Sequence, residues 1–234
     1  VIVLAGTSGY SFKEWKGAFY PADLPDSKML EYYAARLPTV EINNTFYRMP
    51  KPEVIQGWRE RSPEEFRFGL KAPQRITHFQ RLAGSKESLD YFFSGANTLG
   101  EKLGPVLFQL PPFLKKDLPR LEEFLSLLPD SMHTAFEFRN ASWFDDAVYA
   151  ALRARNVALV GGDVDEEGKS PPLVATANWG YLRLRKDEYG PGELENWVQT
   201  IQRQPWGTAY VYMKHEVKGP ELAATINALT QIDK

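Results

Sequence analysis

The chain has 234 residues, 43% apolar and 25% charged, with no cysteine and a formal net charge of −2. Without cysteine, disulfides, thiolate catalysis, zinc fingers and cysteine-ligated iron–sulfur clusters are excluded, and the near-neutral charge argues against indiscriminate binding to nucleic acid or anionic membrane. No apolar stretch approaches the ~18–20 residues that span a bilayer, and the start shows no signal-peptide pattern, so a cytoplasmic location is expected.

The first strand is read over Ile2–Thr7. A long loop rich in aromatic residues and glycine follows, and Asp26 or Ser27 is placed to cap a helix bearing Leu30, Tyr33, Ala34 and Leu37 at i, i+3, i+4, i+7. The second strand runs over Thr39–Phe46, and Pro52 opens a helix with Val54, Ile55 and Trp58. The third strand is Phe66–Ala72. A helix from about Ser85 to Leu103 carries Leu89, Phe92, Phe93, Ala96 and Leu99.

The fourth strand is Val106–Leu110, followed by a helix with Leu118, Leu121, Leu125 and Leu128. The fifth is Thr134–Phe138, after which Asp145 caps a helix bearing Val148, Ala151 and Leu152. The sixth is Val157–Gly162. From Asp165 to Trp179 no helical period appears, and Pro171 and Pro172 oppose one. The seventh strand is Tyr181–Leu184, with Leu194, Trp197, Val198 and Ile201 on the next helix. The eighth is Ala209–Met213, and Leu222, Ala223, Ile226 and Leu229 mark the last helix.

Eight strands alternating with helices, without a composition shift, predict an α/β fold: one (β/α)8 TIM-type barrel over residues 1–234. Its first βα loop is long, and the helix between strands six and seven is weak or missing. The competing arrangement is an open doubly wound sheet.

In such a barrel the C-terminal strand ends meet at one mouth, where catalytic groups sit. Most strands here end in polar residues. Side chains alternate between the faces of a strand, and the apolar ones must meet the helices. Glu41, Lys71, Glu137, Arg139, Asp163, Arg183 and Lys214 are therefore directed inward, three acids and four bases. Buried charges must pair or meet a ligand. The cationic surplus points to a phosphate or carboxylate; the alternative is a salt-bridged structural plug.

Asn43 and Gln109 are placed to orient a ligand. Trp15, Tyr47 and Trp143 are the aromatic residues expected to stack on it. His78 could assist Glu41 or Glu137 in general acid–base chemistry. His133 belongs at the opposite face, and His215 follows strand eight in Lys214-His215-Glu216. No cofactor is predicted. His215, Glu41, Glu137 and Asp163 form the candidate set for one divalent metal. Two carboxylates also invite a glycosidase reading, against which strands two and five lie nearly across the barrel. No G-x-S-x-G, P-loop or G-x-G-x-x-G motif occurs.

Several segments together resemble the domain of unknown function 72, or YecE-like, family. They are G-T-S-G-Y at Gly6–Tyr10, W-K-G-A-F-Y-P at Trp15–Pro21, V-E-I-N-N-T-F-Y at Val40–Tyr47, F-R-F-G-L-K-A-P at Phe66–Pro73, I-T-H at Ile76–His78, L-G-P-V-L-F-Q-L-P-P at Leu103–Pro112 and F-E-F-R-N-A-S-W-F at Phe136–Phe144. The resemblance spans essentially the whole chain and implies a TIM-type barrel without an established reaction. By fold analogy it extends to the endonuclease IV and xylose isomerase group, which implies a hydrolase or isomerase. The expected function is an enzyme that binds an anionic, sugar-like or nucleotide-like ligand at the mouth, with carboxylate acid–base chemistry. The alternative is a non-catalytic binder of nucleic acid or a small ligand.

Overall fold

A computed structural model describes residues 1–166, 170–215 and 217–232, and Glu216 lies outside the described residues. The strands are β1 (Ile2–Ser8), β2 (Thr39–Ile42), β3 (Arg67–Lys71), β4 (Leu103–Gln109), β5 (Thr134–Glu137), β6 (Ala158–Leu159), β7 (Gly161–Gly162), β8 (Trp179–Leu184) and β9 (Thr208–Met213). They pair in parallel in the order β6-β5-β4-β3-β2-β1-β9-β8-β7. The two ends of that order, β6 and β7, are halves of one stave interrupted at Val160. The sheet therefore curls until this stave pairs with β5 on one side and β8 on the other. The expected TIM-type α/β barrel is the fold.

Helices α1 (Met29–Ala34), α2 (Pro52–Glu60), α3 (Lys86–Ala96), α4 (Leu118–Ser126), α5 (Asp146–Ala154), α6 (Glu193–Gln202) and α7 (Gly219–Ile232) pack outside. The period of two explains why two cores form. One set of residues, including Val40, Leu70, Phe108, Phe136, Leu182 and Val211, faces the helices. Phe108 and Phe136 stack across β4 and β5 at 5.4 Å, and Phe124 of α4 meets both edge-on. Each such fully buried side chain contributes about 1.5–3 kcal/mol of apolar transfer.

The alternate set fills the barrel interior: Leu107, Ala135, Ala158, Val160, Trp179, Tyr181, Tyr210 and Tyr212. Gly69 is matched to this filling. A Cβ there would stand 2.6 Å from the Tyr212 hydroxyl. That hydroxyl is hydrogen-bonded to Thr39 Oγ1 at 3.0 Å. A floor of aromatic rings thus closes the lower barrel beneath the polar layer.

Several boundaries differ from expectation. Neither Asp26 nor Ser27 caps the first helix; a 3-10 turn over Asp26–Lys28 leads into α1, and Asp26 pairs with Lys16 at 2.9 Å instead. Asp145 does cap α5, accepting from Ala147 N at 3.0 Å. β2 stops at Ile42, because Thr45 Oγ1 turns back to Ile42 O and reaches Lys71 O at 2.7 Å. The chain after Ala96 tightens into a 3-10 stretch broken by Gly100 at φ 58°, and β4 begins at Leu103, three residues earlier than read. No helix occurs between β7 and β8 among the described residues. There Thr176 Oγ1 donates to Val157 O and accepts from Leu159 N, both at 2.7 Å, so an extended segment covers β6.

Candidate active site at the C-terminal mouth

Three charged side chains form the floor of the mouth. Arg183, on β8, sends Nη2 to Glu41 Oε1 on β2 at 2.9 Å and Nη1 to Glu137 Oε2 on β5 at 2.6 Å. All three are essentially solvent-free. Burial acts to raise both carboxyl pKa values, but Arg183 and the hydrogen bonds outweigh it and hold both below the usual carboxylate range. The guanidinium is held charged in turn by the two glutamates, against its own burial.

The remaining acceptor capacity of both carboxylates is also taken. Glu41 Oε2 accepts from the Tyr181 hydroxyl at 2.6 Å, and Oε1 from Ser8 Oγ at 2.8 Å and Asn43 Nδ2 at 3.0 Å. Glu137 Oε2 accepts from Gln109 Nε2 at 2.7 Å, and Oε1 from Arg185 Nη1 at 2.9 Å, with Arg139 Nε at 3.5 Å. Asn43 reaches Glu41 although its backbone is already helical, at φ −92° and ψ −23°, rather than extended as expected.

Above this floor cations outnumber acids among the described residues, with Asp187 lining the cleft beside Arg185 and Lys214. Lys71 Nζ donates to Gln109 Oε1 at 2.9 Å and sits 4.1 Å from the centre of the Phe46 ring. It makes no ion pair among the described residues. Burial first, then Arg183 and Arg139, push its pKa down to about 8. Lys214 is exposed at the end of β9, and burial with Arg183, Arg139 and Arg185 lowers its pKa as well. Arg183 Nε and Arg185 Nε are buried donors without an acceptor among the described residues. A cleft of about 550 Å³ opens beside this group, lined by Ser8, Arg185, Lys214 and His215 among others.

His78 stands on a π-helical turn over Arg75–Phe79 at the rim. Its Nδ1 is 2.8 Å from Thr77 Oγ1 and its ring is edge-on to Phe46 at 5.0 Å. Burial, then Lys71 and Arg139, lower its pKa.

Glu41, Asn43, Lys71, Gln109, Glu137, Arg139, Arg183 and Lys214 are thus brought together, with His78 at their edge. Three residues are placed differently. Asp163 lies off the charged floor: its carboxylate accepts from Arg185 N at 2.7 Å, the Tyr189 hydroxyl at 2.9 Å and Trp197 Nε1 on α6 at 3.0 Å. Trp143 is buried, stacked on Phe138 at 4.7 Å, and donates Nε1 to Leu114 O at 2.7 Å. Trp15 is buried among Phe12, Phe19 and Tyr20. Of the three aromatic residues expected to stack on a ligand, Tyr47 alone is exposed, at 74%. Long loops need apolar anchors, and the two tryptophans serve that need, while Trp15 also lines the cleft beside Arg185 and Lys214.

The residues considered for a metal are dispersed or committed. His215 Nε2 is 2.7 Å from Asp187 O, and its Nδ1 accepts from Lys218 N at 2.9 Å. Glu41, Glu137 and Asp163 have the partners given above, and no group of three metal-ligating side chains occurs among the described residues. His133 stacks on Trp179 at the far end, as expected.

Three contributors were absent from the sequence reading: Arg185, Tyr181 and Ser8. Two of them were legible. Tyr181, Arg183 and Arg185 share the parity of one strand, so an inward Arg183 implies the other two.

The profile described as "Protein of unknown function DUF72" matches residues 4–234. UPF0759 protein YecE of Escherichia coli K12 is 36% identical over 116 residues, 49% of this chain and 43% of that protein. UPF0759 protein YunF of Bacillus subtilis is 31% identical over 140 residues, 56% of this chain and 50% of that protein. The chain spans about half the length of the curated relatives it matches. A DUF72 family protein from Thermotoga maritima has the same fold at a TM-score of 0.87 and 26% identity, covering 99% of this chain and 100% of that one. A D-psicose 3-epimerase solved in the presence of D-fructose shares the fold alone, with a TM-score of 0.55 and 9% identity over 90% of this chain and 93% of that one. With a whole-chain profile match and the same barrel in a solved relative, this chain belongs to the DUF72 family of proteins of unknown function.

Proposed function

We propose that the mouth binds a small anionic ligand, sugar-like or nucleotide-like and bearing phosphate or carboxylate, and that the protein is an enzyme acting on it. The observation that carries this reading is the charge count. Among the described residues, Lys71, Arg139, Arg183, Arg185 and Lys214 gather around Glu41 and Glu137, whose oxygens are already occupied, and Asp187 is the one further carboxylate lining the cleft beside Arg185 and Lys214, so the cations are in surplus. The neighbouring guanidinium groups add to burial in pushing the Lys71 and Lys214 pKa values down, and an anion relieves that repulsion. The unpaired Nε–H groups of Arg183 and Arg185 supply donors in the same place.

Acid–base chemistry favours a group titrating near the working pH. The two glutamates, held ionised, fit the role of anchoring the arginines. Lys71, with a pKa of about 8, and His78 beside Phe46 are better matched to proton transfer.

Calorimetric titration with inorganic phosphate tests the binding. Saturable binding that weakens at least about tenfold in an Arg139→Met, Lys214→Met double variant is expected, the loss of two charge-assisted contacts. No heat with phosphate, or equal affinity in the double variant, overturns it.

Non-catalytic binding of nucleic acid is a second reading, favoured by the exposed rings of Tyr47, Phe79 and Phe113 on the loops after β2, β3 and β4. A gel-shift titration with single-stranded oligonucleotide across salt concentrations tests it; retention unaffected by salt contradicts it.

A further inference from the structure

Lys71 occupies an unusual position for a barrel lysine. It is the last residue of β3, directed inward and half-buried, yet its ammonium meets a neutral amide and an aromatic face instead of a carboxylate. Gln109 causes this. Its Nε2 is committed to Glu137 Oε2 at 2.7 Å, so its oxygen must face Lys71. The amide stands as an uncharged spacer where an acid would have paired with the lysine and kept it protonated.

We propose that Lys71 is a nucleophilic amine that forms an imine with an aldehyde or ketone carrying a phosphate or carboxylate group. This deepens the anion-binding reading above and rests on it: Arg139, Arg185 and Lys214 hold the anionic end, and the carbonyl end reaches Lys71. Among the described residues, Nζ makes one hydrogen bond, to Gln109, which leaves two of its three N–H directions open. A pKa of about 8 leaves about a tenth of the amine neutral at pH 7, against less than about one part in a thousand for an ordinary lysine.

The step balances without an oxidant or reductant. The Nζ lone pair bonds to the carbonyl carbon, and the C=O π pair moves to oxygen. A proton passes from nitrogen to that oxygen, giving a carbinolamine. The nitrogen lone pair then forms C=N as the C–O bond breaks, the oxygen leaves as water by taking a second proton, and the iminium nitrogen gives up its remaining proton to replace it. His78, edge-on to the Phe46 ring that Lys71 overlies, carries these protons. Gln109 is a positioning residue.

The test uses pyridoxal 5′-phosphate as a chemical probe, an aldehyde with a phosphate, followed by cyanoborohydride, which delivers hydride to C=N and fixes the adduct for peptide mapping. One adduct at Lys71 is expected, formed at least about tenfold faster than at exposed lysines such as Lys86. It is slowed by excess inorganic phosphate and by using pyridoxal in place of its phosphate. Its rate should climb with pH and level off above about 8. Gln109→Glu restores an acidic partner, and should slow labelling and move that plateau upward; a purely structural role for Gln109 leaves the profile in place. Labelling spread evenly over surface lysines, or a plateau near an ordinary lysine pKa, overturns the proposal. Calorimetry with inorganic phosphate separates the two readings: phosphate binding without selective labelling rejects the imine alone, whereas loss of both rejects the anion site as well.

Discussion

Glu41 and Glu137 enter the barrel from β2 and β5 and are joined by one guanidinium, Arg183 Nη2 to Glu41 Oε1 at 2.9 Å and Nη1 to Glu137 Oε2 at 2.6 Å. Each carboxylate is buried to within 2% of complete. Removing the arginine therefore strands two charges where water cannot reach them. Arg183→Met should cost about 3–5 kcal/mol, read as a lowered urea midpoint with unchanged slope. The triple Glu41→Gln, Arg183→Met, Glu137→Gln should recover a large part of that loss. A triple variant no more stable than Arg183→Met would contradict this account of the floor.

The same pairing sets an acid limit. Both glutamates titrate below their usual 4.5 in the folded protein. The folded state therefore binds fewer protons than the unfolded state as pH falls through 4.5. Their stabilisation is fully present above about pH 5 and is lost progressively below it. Thermal midpoints measured from pH 7 to pH 3 should fall steeply in this window. Glu137→Gln should start lower and fall less. Parallel curves for the two proteins would count against it.

Lys71 works in the opposite sense. Its folded pKa of about 8 lies below the ordinary 10.5, so between those values the unfolded chain holds a proton that the folded one has released. Stability from this group rises with pH across that window, and at pH 7 the charged lysine is a net burden. Lys71→Met should raise the midpoint at pH 7 by about 2–4 °C, corresponding to about 1 kcal/mol after allowance for its partial exposure, and the gain should shrink by pH 10. The same variant should lose phosphate affinity. A destabilised Lys71→Met would mean that its contacts with Gln109 and Phe46 outweigh the charge.

Trp143 separates packing from recognition. Its indole donates to Leu114 O and stacks on Phe138 away from solvent. Trp143→Phe leaves a buried carbonyl without its donor and should cost about 1–3 kcal/mol. Phosphate affinity should stay within about twofold, since the indole is buried against Phe138 and Leu114. A weakened phosphate isotherm at unchanged stability would return Trp143 to the ligand.

The barrel was legible because alternation of apolar and polar residues is a local property. Val40 and Ile42 against Thr39 and Glu41, or Leu182 and Leu184 against Arg183, specify which side chains face the helices before any strand finds its neighbour. Turn geometry was harder to read. The helical backbone at Asn43 and the early start of β4 depend on hydrogen bonds from Thr45 to Lys71 O and on Gly100, contacts between segments that the sequence does not pair. Aromatic residues were hard to read for a similar reason, since ring chemistry alone does not distinguish a buried ring such as Trp143 from an exposed one such as Tyr47.

By itself the sequence determined the eight-stave alternation, the mouth at the strand ends and the inward sense of Glu41, Lys71, Glu137 and Arg183. Strand parity follows from covalent geometry and holds whatever the neighbours are. Which charges pair was decided only when the barrel closed. Closure set Arg183 between two acids from other staves, turned Asp163 outward to Trp197, and left Lys71 facing an amide. Ion pairing depends on distance across space, and those distances exist only in the folded chain.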